Sequence, residues 1–203
     1  MASFENKRKN PSSSNIRFGE ARVIHDLQEL KTVVKGFQDA GLKIVFTQGV
    51  YDLLHEGHGK YLELAKEQGD ILVVGIDSDE LTRKRKGQNR PVVPEDERIR
   101  MLTFLRSVDI VTLRTLSETE KDMGYLHKAI RPDVFVMSKT TKDWPIEQQR
   151  ETEKHVGKIK IFKPQAETSS SARIRHLMID GATGLGERIN DLVREYYDEI
   201  KKI

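Results

Sequence analysis

The sequence predicts an α/β fold, a doubly wound parallel sheet of about five strands with helices on both faces and further helices at the two ends. Two observations carry this. Short runs rich in Val, Ile and Leu alternate along the chain with segments whose apolar residues recur at helical spacing. The run ILVVGI at 71–76 is apolar without a break, as a strand buried on both faces of a parallel sheet must be. A length of 203 residues suits one such domain with appendages.

Residues 1–15 are basic and then serine-rich, with little to bury, and are expected to form a disordered tail. Residues 16–41 are a helical extension, with Leu27, Leu30, Val33, Val34 and Phe37 at helical spacing and Gly41 as its stop. The main domain spans 42–180. It opens on the strand KIVFT (43–47), which ends at Gly49, followed by a helix over 58–68 through Tyr61, Leu62, Leu64 and Ala65. After the 71–76 strand, Asp77 or Ser78 caps a helix. A basic loop (83–90), a helix (95–106), a strand (108–113) and a helix over about 119–130 follow. Strands at 133–137 and 158–162 and a serine-opened helix near 171–179 complete the domain. A C-terminal helix over 181–203 places Ile189, Leu192, Val193, Tyr196 and Ile200 on one face, which packs on the domain or on a second subunit. In a sheet with this Rossmann-like winding, ligands sit beyond the carboxyl ends of the strands. Residues 47–58, 77–79, 84–90, 138–144 and 164–171 therefore lie along one rim.

Composition removes several classes of function. The absence of cysteine excludes disulfides, thiolate zinc sites and iron–sulfur clusters. A formal net charge of +3 is too small to demand nucleic acid or an anionic membrane as partner. No apolar run approaches the ~20 residues of a membrane span, and no secretory signal is evident, so a cytoplasmic location is expected.

The chemistry lies in FTQGVYDLLHEGHGKYLELA, residues 46–65. His55, Gly57 and His58 fall between the end of a strand and the start of a helix, whose N-terminus favours anions. Gly49 permits a sharp exit from the strand, and Gly57 permits close approach of backbone to a phosphate. Imidazoles at this point donate hydrogen bonds to phosphate oxygens and stabilise charge that grows in a transition state. Asp52 is read as holding the turn, with a magnesium contact as the second reading.

Thr47-Gln48-Gly49-Val50-Tyr51-Asp52 followed by His55-Glu56-Gly57-His58 resembles the signature of the cytidylyltransferase-like nucleotidyltransferases. The run from Gly69 to Leu102 is most similar to the heptose 1-phosphate adenylyltransferases, with glycerol-3-phosphate cytidylyltransferase as another relative. The resemblance implies that His55 and His58 contact a nucleoside triphosphate and assist transfer at its α-phosphorus, and that Thr47, the backbone at Gln48, Gly49 and Gly57 line the phosphates. It further implies that Lys86 of the basic segment and Arg98 are catalytic, and that Lys84, with Ser170, Ser171 and Arg173 in SSSARIR, binds the nucleotide. Plainer readings stand beside these: Arg83 to Lys86 as a solvated charge run, Arg98 as a partner of Glu95 or Asp96, and the serines as a helix cap.

Some positions depart from the family pattern. Tyr51 stands where phenylalanine is usual, Thr168 where glycine is usual and Ala172 where threonine often stands. The glycine-rich segment after the fourth strand is replaced by MSKTTKDWP (137–145), which leaves the acceptor open and puts Lys139 forward as a contact to its phosphate.

The implied reaction is attack by a small phosphorylated acceptor, such as a sugar or polyol phosphate, on the α-phosphorus of a nucleoside triphosphate, with release of pyrophosphate. ATP is favoured slightly over CTP. Mg²⁺ is expected on the phosphates, with no protein metal site, and a homodimer is implied. The alternatives are a CTP-dependent cytidylyltransferase of a polyol phosphate and a non-catalytic nucleotide sensor on the same fold.

Overall fold

The strand beneath the motif, β1 (Ile44–Gly49), is the middle of five, and the chain reverses its direction of travel across the sheet beside it. The computed structural model describes residues 22–139 and 145–166, together with 172, 174, 177, 179, 184–186 and 188–194. The other strands are β2 (Ile71–Asp77), β3 (Ile110–Arg114), β4 (Val134–Ser138) and β5 (Lys158–Phe162). Their order is β3-β2-β1-β4-β5, and every pairing is parallel. The chain winds from β1 out to β3, then returns to lay β4 against the other side of β1. That junction is a topological switch point, where α/β sheets bind ligands beyond the strand ends.

The apolar strands are buried on both sides, as their composition demands. Val45, Leu72, Val74 and Val136 pack with Leu62 and Ala65 on one face, whereas Ile44, Phe46, Val73 and Phe135 pack with Leu30, Val34, Leu126 and Ile130 on the other. The first face carries α2 (Glu56–Lys66) and α4 (Glu95–Thr103). The second carries α1 (Leu27–Asp39) and α6 (Tyr125–Ile130). Asp26 caps α1 by accepting from the amides of Gln28 and Glu29.

Several boundaries differ from expectation. The basic run Arg83–Lys86 is the last turn of α3 (Asp79–Lys86), not a loop, because Ser78 caps the helix and Gly87, at φ 98°, ends it only after Lys86. Asp77 is the last residue of β2 and takes no part in that cap. The helix expected over 119–130 is two, α5 (Leu116–Lys121) and α6, broken where Asp122 accepts from the Gly124 amide at 3.0 Å. The 95–106 helix stops at Thr103. An additional helix, α7 (Ile146–Glu153), buries only Thr152 and so lacks the apolar periodicity that would announce it. The tail 1–15 lies outside the described residues, as does most of 167–183. Ile189, Leu192 and Val193 of the C-terminal segment are helical and exposed, while Tyr196 and Ile200 lie outside the described residues. Among the described residues, no helix is long and apolar enough to cross a membrane.

His127 of α6 is buried with its ring edge-on to Phe46 and Phe135, and neither ring nitrogen has a hydrogen-bond partner among the described residues. Burial, reinforced by the Arg114 and His155 charges and only partly opposed by Asp122, lowers its pKa from 6.5 to about 4. The folded protein therefore holds it neutral, and protonation favours the unfolded chain. This contribution to stability is full above about pH 6.5 and is lost as pH falls toward 4, by up to ~3 kcal/mol. Urea denaturation at about pH 7 and pH 4.5 should show that loss in the wild type and a smaller one in His127→Leu. Equal losses in the two proteins would reject this origin.

Candidate active site

The turn leaving β1 is held in an unfavourable backbone conformation. Tyr51 and Leu53 have φ of 52° and 48°, the left-handed region that side-chain-bearing residues avoid. Such residues persist where surrounding bonds over-determine them. Between them, Asp52 is buried, and its carboxylate accepts from Arg90 Nε at 2.9 Å and from the Val92 and Val93 amides, both at 3.0 Å. Burial alone would raise the Asp52 pKa, but the two amides and the Arg90 guanidinium outweigh it and hold the carboxyl below its ordinary value. Asp52 thus holds the turn, and its carboxylate is occupied by those three donors.

Arg98 of α4 completes the clamp. It is 1 % exposed and donates to the carbonyls of Val50 (2.6 Å), Asp77 (2.9 Å) and Val93 (2.8 Å), and to the Asp79 carboxylate (2.5 Å). Its ion-pair partner is Asp79, in place of the Glu95 or Asp96 of the plainer reading, because the guanidinium turns inward to join the ends of β1 and β2 to the 90–93 segment. Glu95 instead accepts from the Asp79 amide at 2.6 Å.

This clamped turn delivers the two histidines. His55 is the N-cap of α2, its Nδ1 accepting from the Gly57 amide at 3.1 Å. A nitrogen that accepts carries no proton, so the neutral ring bears its hydrogen on Nε2, a tautomer assigned from this bond. The His58 ring lies 4.1 Å from that of His55, centroid to centroid, and 5.7 Å from that of Tyr51. The two imidazoles therefore stand together at the positive end of a helix, a setting suited to an anion. A Cβ on Gly57 would lie 2.6 Å from the Ala166 Cβ and 3.0 Å from His55 Cε1. The segment after β5 thus closes directly on the motif. Gly57→Ala should cost about 1–3 kcal/mol of stability by overpacking and lower turnover by displacing His55. Thermal denaturation and a turnover assay check this, and unchanged values in both would contradict it.

The remaining candidate residues lie on β1, in the basic turn of α3 and beyond β4. The Thr47 side chain is fully buried and its Oγ1 lies 2.8 Å from the Tyr61 hydroxyl, which itself donates to the Val136 carbonyl at 3.1 Å. Tyr61 has one hydrogen to give, so Thr47 is the donor between them, and its hydroxyl helps to join β1, α2 and β4. Burial raises the Tyr61 pKa, opposed only in part by the bond to Thr47. Gln48 and Gly49 follow at the strand end, where a Cβ on Gly49 would meet the Tyr51 ring at 3.2 Å.

In the basic turn, Lys84 pairs with Glu120 and Arg85 with Asp77. Lys86 is exposed, yet partial desolvation and the Arg90 and Arg85 charges lower its pKa, against the pull of Asp77 and Asp52. Lys139 is exposed just beyond β4, its amide bound to the Phe162 carbonyl at 2.8 Å. Ser170, Ser171 and Arg173 lie outside the described residues. Among those described, no group of three His, Asp or Glu converges to hold a metal.

Sequence reading missed the ion pairs of Arg114 and Arg90, and offered Asp77 only as a helix cap on the rim. Asp77 is fully buried and binds Arg114 at 3.0 Å as well as Arg85. Its signal was available, since an aspartate closing an apolar strand requires a partner.

A profile of the family described as Cytidylyltransferase-like matches residues 46–177. A bifunctional protein HldE from Desulfatibacillum aliphaticivorans is 36% identical over 148 residues, covering 73% of this chain and 29% of that protein. Another, from a Nitratiruptor species, is 41% identical over 114 residues, covering 56% of this chain and 24% of that protein. The chain thus spans less than a third of the length of these relatives. Among solved structures, the lipopolysaccharide core biosynthesis protein from Thermoplasma volcanium GSS1 superposes with a TM-score of 0.52 at 29% identity, covering 64% of this chain and 100% of that one. Pantoate-beta-alanine ligase from Francisella tularensis shares the fold, at a TM-score of 0.51 and 15% identity, over 73% of this chain and 68% of its own. The paired histidines stand at the switch point of the sheet and the profile spans well over half of the chain, so this chain belongs to the cytidylyltransferase-like family of nucleotidyltransferases.

Proposed function

We propose that the protein transfers a nucleoside monophosphate, from ATP in preference to CTP, to a small sugar phosphate of the heptose 1-phosphate type. A phosphate oxygen of the acceptor attacks the α-phosphorus and forms the new P–O bond. The bond from that phosphorus to the oxygen bridging to the β-phosphate breaks, and pyrophosphate leaves with the electron pair. The observation that carries the reading is the close, tilted His55–His58 pair at the N-terminus of α2. The Nε2 hydrogen of His55 and the His58 ring would donate to phosphate oxygens whose charge grows as the bond breaks. Lys86 and Lys139, both exposed cations on the rim, would bind phosphates of the nucleotide and the acceptor, and Ser170, Ser171 and Arg173 would close on the triphosphate. Arg98 and Asp52 act by positioning the turn. The preference for ATP and a sugar phosphate rests on likeness to the HldE proteins.

Magnesium belongs to this reading as the ion carried by the triphosphate, where phosphate oxygens and water would hold it. The enzyme would work in the cytoplasm, as a homodimer. Thermal denaturation with Mg²⁺ and each of ATP, CTP, GTP and UTP tests nucleotide binding. A nucleotide at 100 times its Kd stabilises by about 2.7 kcal/mol, which raises Tm by roughly 5–11 °C for a domain of this size. ATP is expected to give the largest shift. No shift with any of the four would overturn the reading.

A further inference from the structure

Gln48 carries a buried side-chain oxygen, Oε1, that has no hydrogen-bond partner among the described residues. Whichever way the amide is turned, one buried polar atom is left unsatisfied. Buried polar atoms are nearly always paired, and an unpaired one costs free energy in every folded molecule. This one stands at the carboxyl end of the central strand, beside the switch point.

Its face of the sheet matters. Thr47 points its hydroxyl at Tyr61 of α2, so the next residue points to the opposite face, as Ile44 and Phe46 do. In register, Gln48 lies beside Gly75 of β2, and Asp77 follows two residues on along the same face. Asp77 holds Arg114 and the half-exposed Arg85. On the other side is β4, whose Val136 pairs with Thr47, placing Met137 next to Gln48 and the exposed Lys139 just beyond. The two faces of one rim thus differ. The α2 face has the histidines and the helix N-terminus, and the opposite face has an unsatisfied amide between two cationic positions, Arg85 and Lys139.

In-line displacement requires the attacking and leaving oxygens on opposite sides of the phosphorus. If pyrophosphate departs against His55, His58 and the N-terminus of α2, the acceptor enters from the face that holds Gln48. We propose that Gln48 is a specificity-determining residue for the acceptor: its buried amide oxygen accepts from a hydroxyl of the sugar phosphate, whose phosphate is drawn by Arg85 and Lys139. This rests on the transferase reading above. An acceptor without that hydroxyl leaves the amide unsatisfied and is discriminated against, as happens in sites built around a buried polar group.

The test uses the full chain and two apolar replacements of similar reach, Gln48→Leu and Gln48→Met, with ATP, Mg²⁺ and a heptose 1-phosphate as substrates. KM for the sugar phosphate should rise about tenfold in both, the loss expected for one hydrogen bond to a buried group, while KM for ATP stays within about twofold. Without ligand, Tm should be unchanged or raised by up to about 4 °C, because an unsatisfied atom has been removed. A lowered Tm or failure to fold in both variants would make Gln48 a structural residue and overturn the proposal. So would an unchanged KM for the sugar phosphate in both variants, when the wild type turns over. A wild type that releases no pyrophosphate overturns the transferase reading, and the Gln48 proposal with it.

Discussion

His58→Ala is expected to lower kcat by about 10²–10³, or roughly 2.7–4 kcal/mol of transition-state stabilisation, the loss typical when one preorganised donor is removed from a developing oxyanion. The expectation follows from where the ring sits. Its centroid lies 4.1 Å from that of His55, with the two rings tilted by 33°; the Nδ1 of His55 is committed to the Gly57 amide, and the Tyr51 ring lies 5.7 Å away. The pair is thus fixed before substrate arrives, and little of its interaction energy is spent on ordering. Because charge accumulates on the phosphate oxygens mainly as the bond breaks, the loss should fall on kcat more than on KM for the nucleotide. His58 is only partly buried, so Tm should stay within about 2–4 °C of the wild type, the shift given by ~1 kcal/mol in a chain of this size. Steady-state pyrophosphate release by folded variant and wild type checks this, and equal turnover would remove the histidine pair from the mechanism.

Arg98→Met is expected to destabilise the fold by about 3–5 kcal/mol, the cost of breaking a buried charge pair from one side. Methionine keeps much of the arginine stem but none of its donors. The carbonyls of Val50, Asp77 and Val93 and the Asp79 carboxylate then lose the hydrogen bonds that join the ends of β1 and β2 to the 90–93 segment. Tm should fall by roughly 6–20 °C. The turn through Tyr51 and Leu53, held at positive φ by these bonds, should relax and carry His55 out of register, so kcat falls as well. A fully stable Arg98→Met protein whose only defect is a raised KM for the nucleotide would instead make Arg98 a direct phosphate contact.

The parts of the fold that were legible in the sequence are those with a strong local signal. ILVVGI has no polar residue to turn outward, so its burial on both faces followed from composition. The histidine pair could be placed at a helix start because a strand and a glycine precede it. What was not legible depends on long-range partners or on weak periodicity. Arg98 lies among charged neighbours on α4, and nothing local distinguishes a solvated arginine from one turned inward to Val50, 48 residues away. The Arg83–Lys86 run looked like a loop because it has no apolar residue, yet its helix is fixed by a cap at Ser78 and a stop at Gly87. Thr47 matched a phosphate-binding motif by type, but its rotamer is decided by Tyr61, 14 residues on. The same logic hid α7, whose polar faces offered no period to detect.

The measurement that tests the central claim most directly follows the label from ATP. The protein is incubated with Mg²⁺, a heptose 1-phosphate and ATP labelled either at the α- or at the γ-phosphorus. The account predicts that the α-label passes into a nucleoside diphosphate sugar while the γ-label appears in pyrophosphate, in equal amounts. Appearance of the γ-label in orthophosphate or on the sugar would show attack at the terminal phosphorus, and the assignment of His55 and His58 to transfer at the α-phosphorus would be wrong.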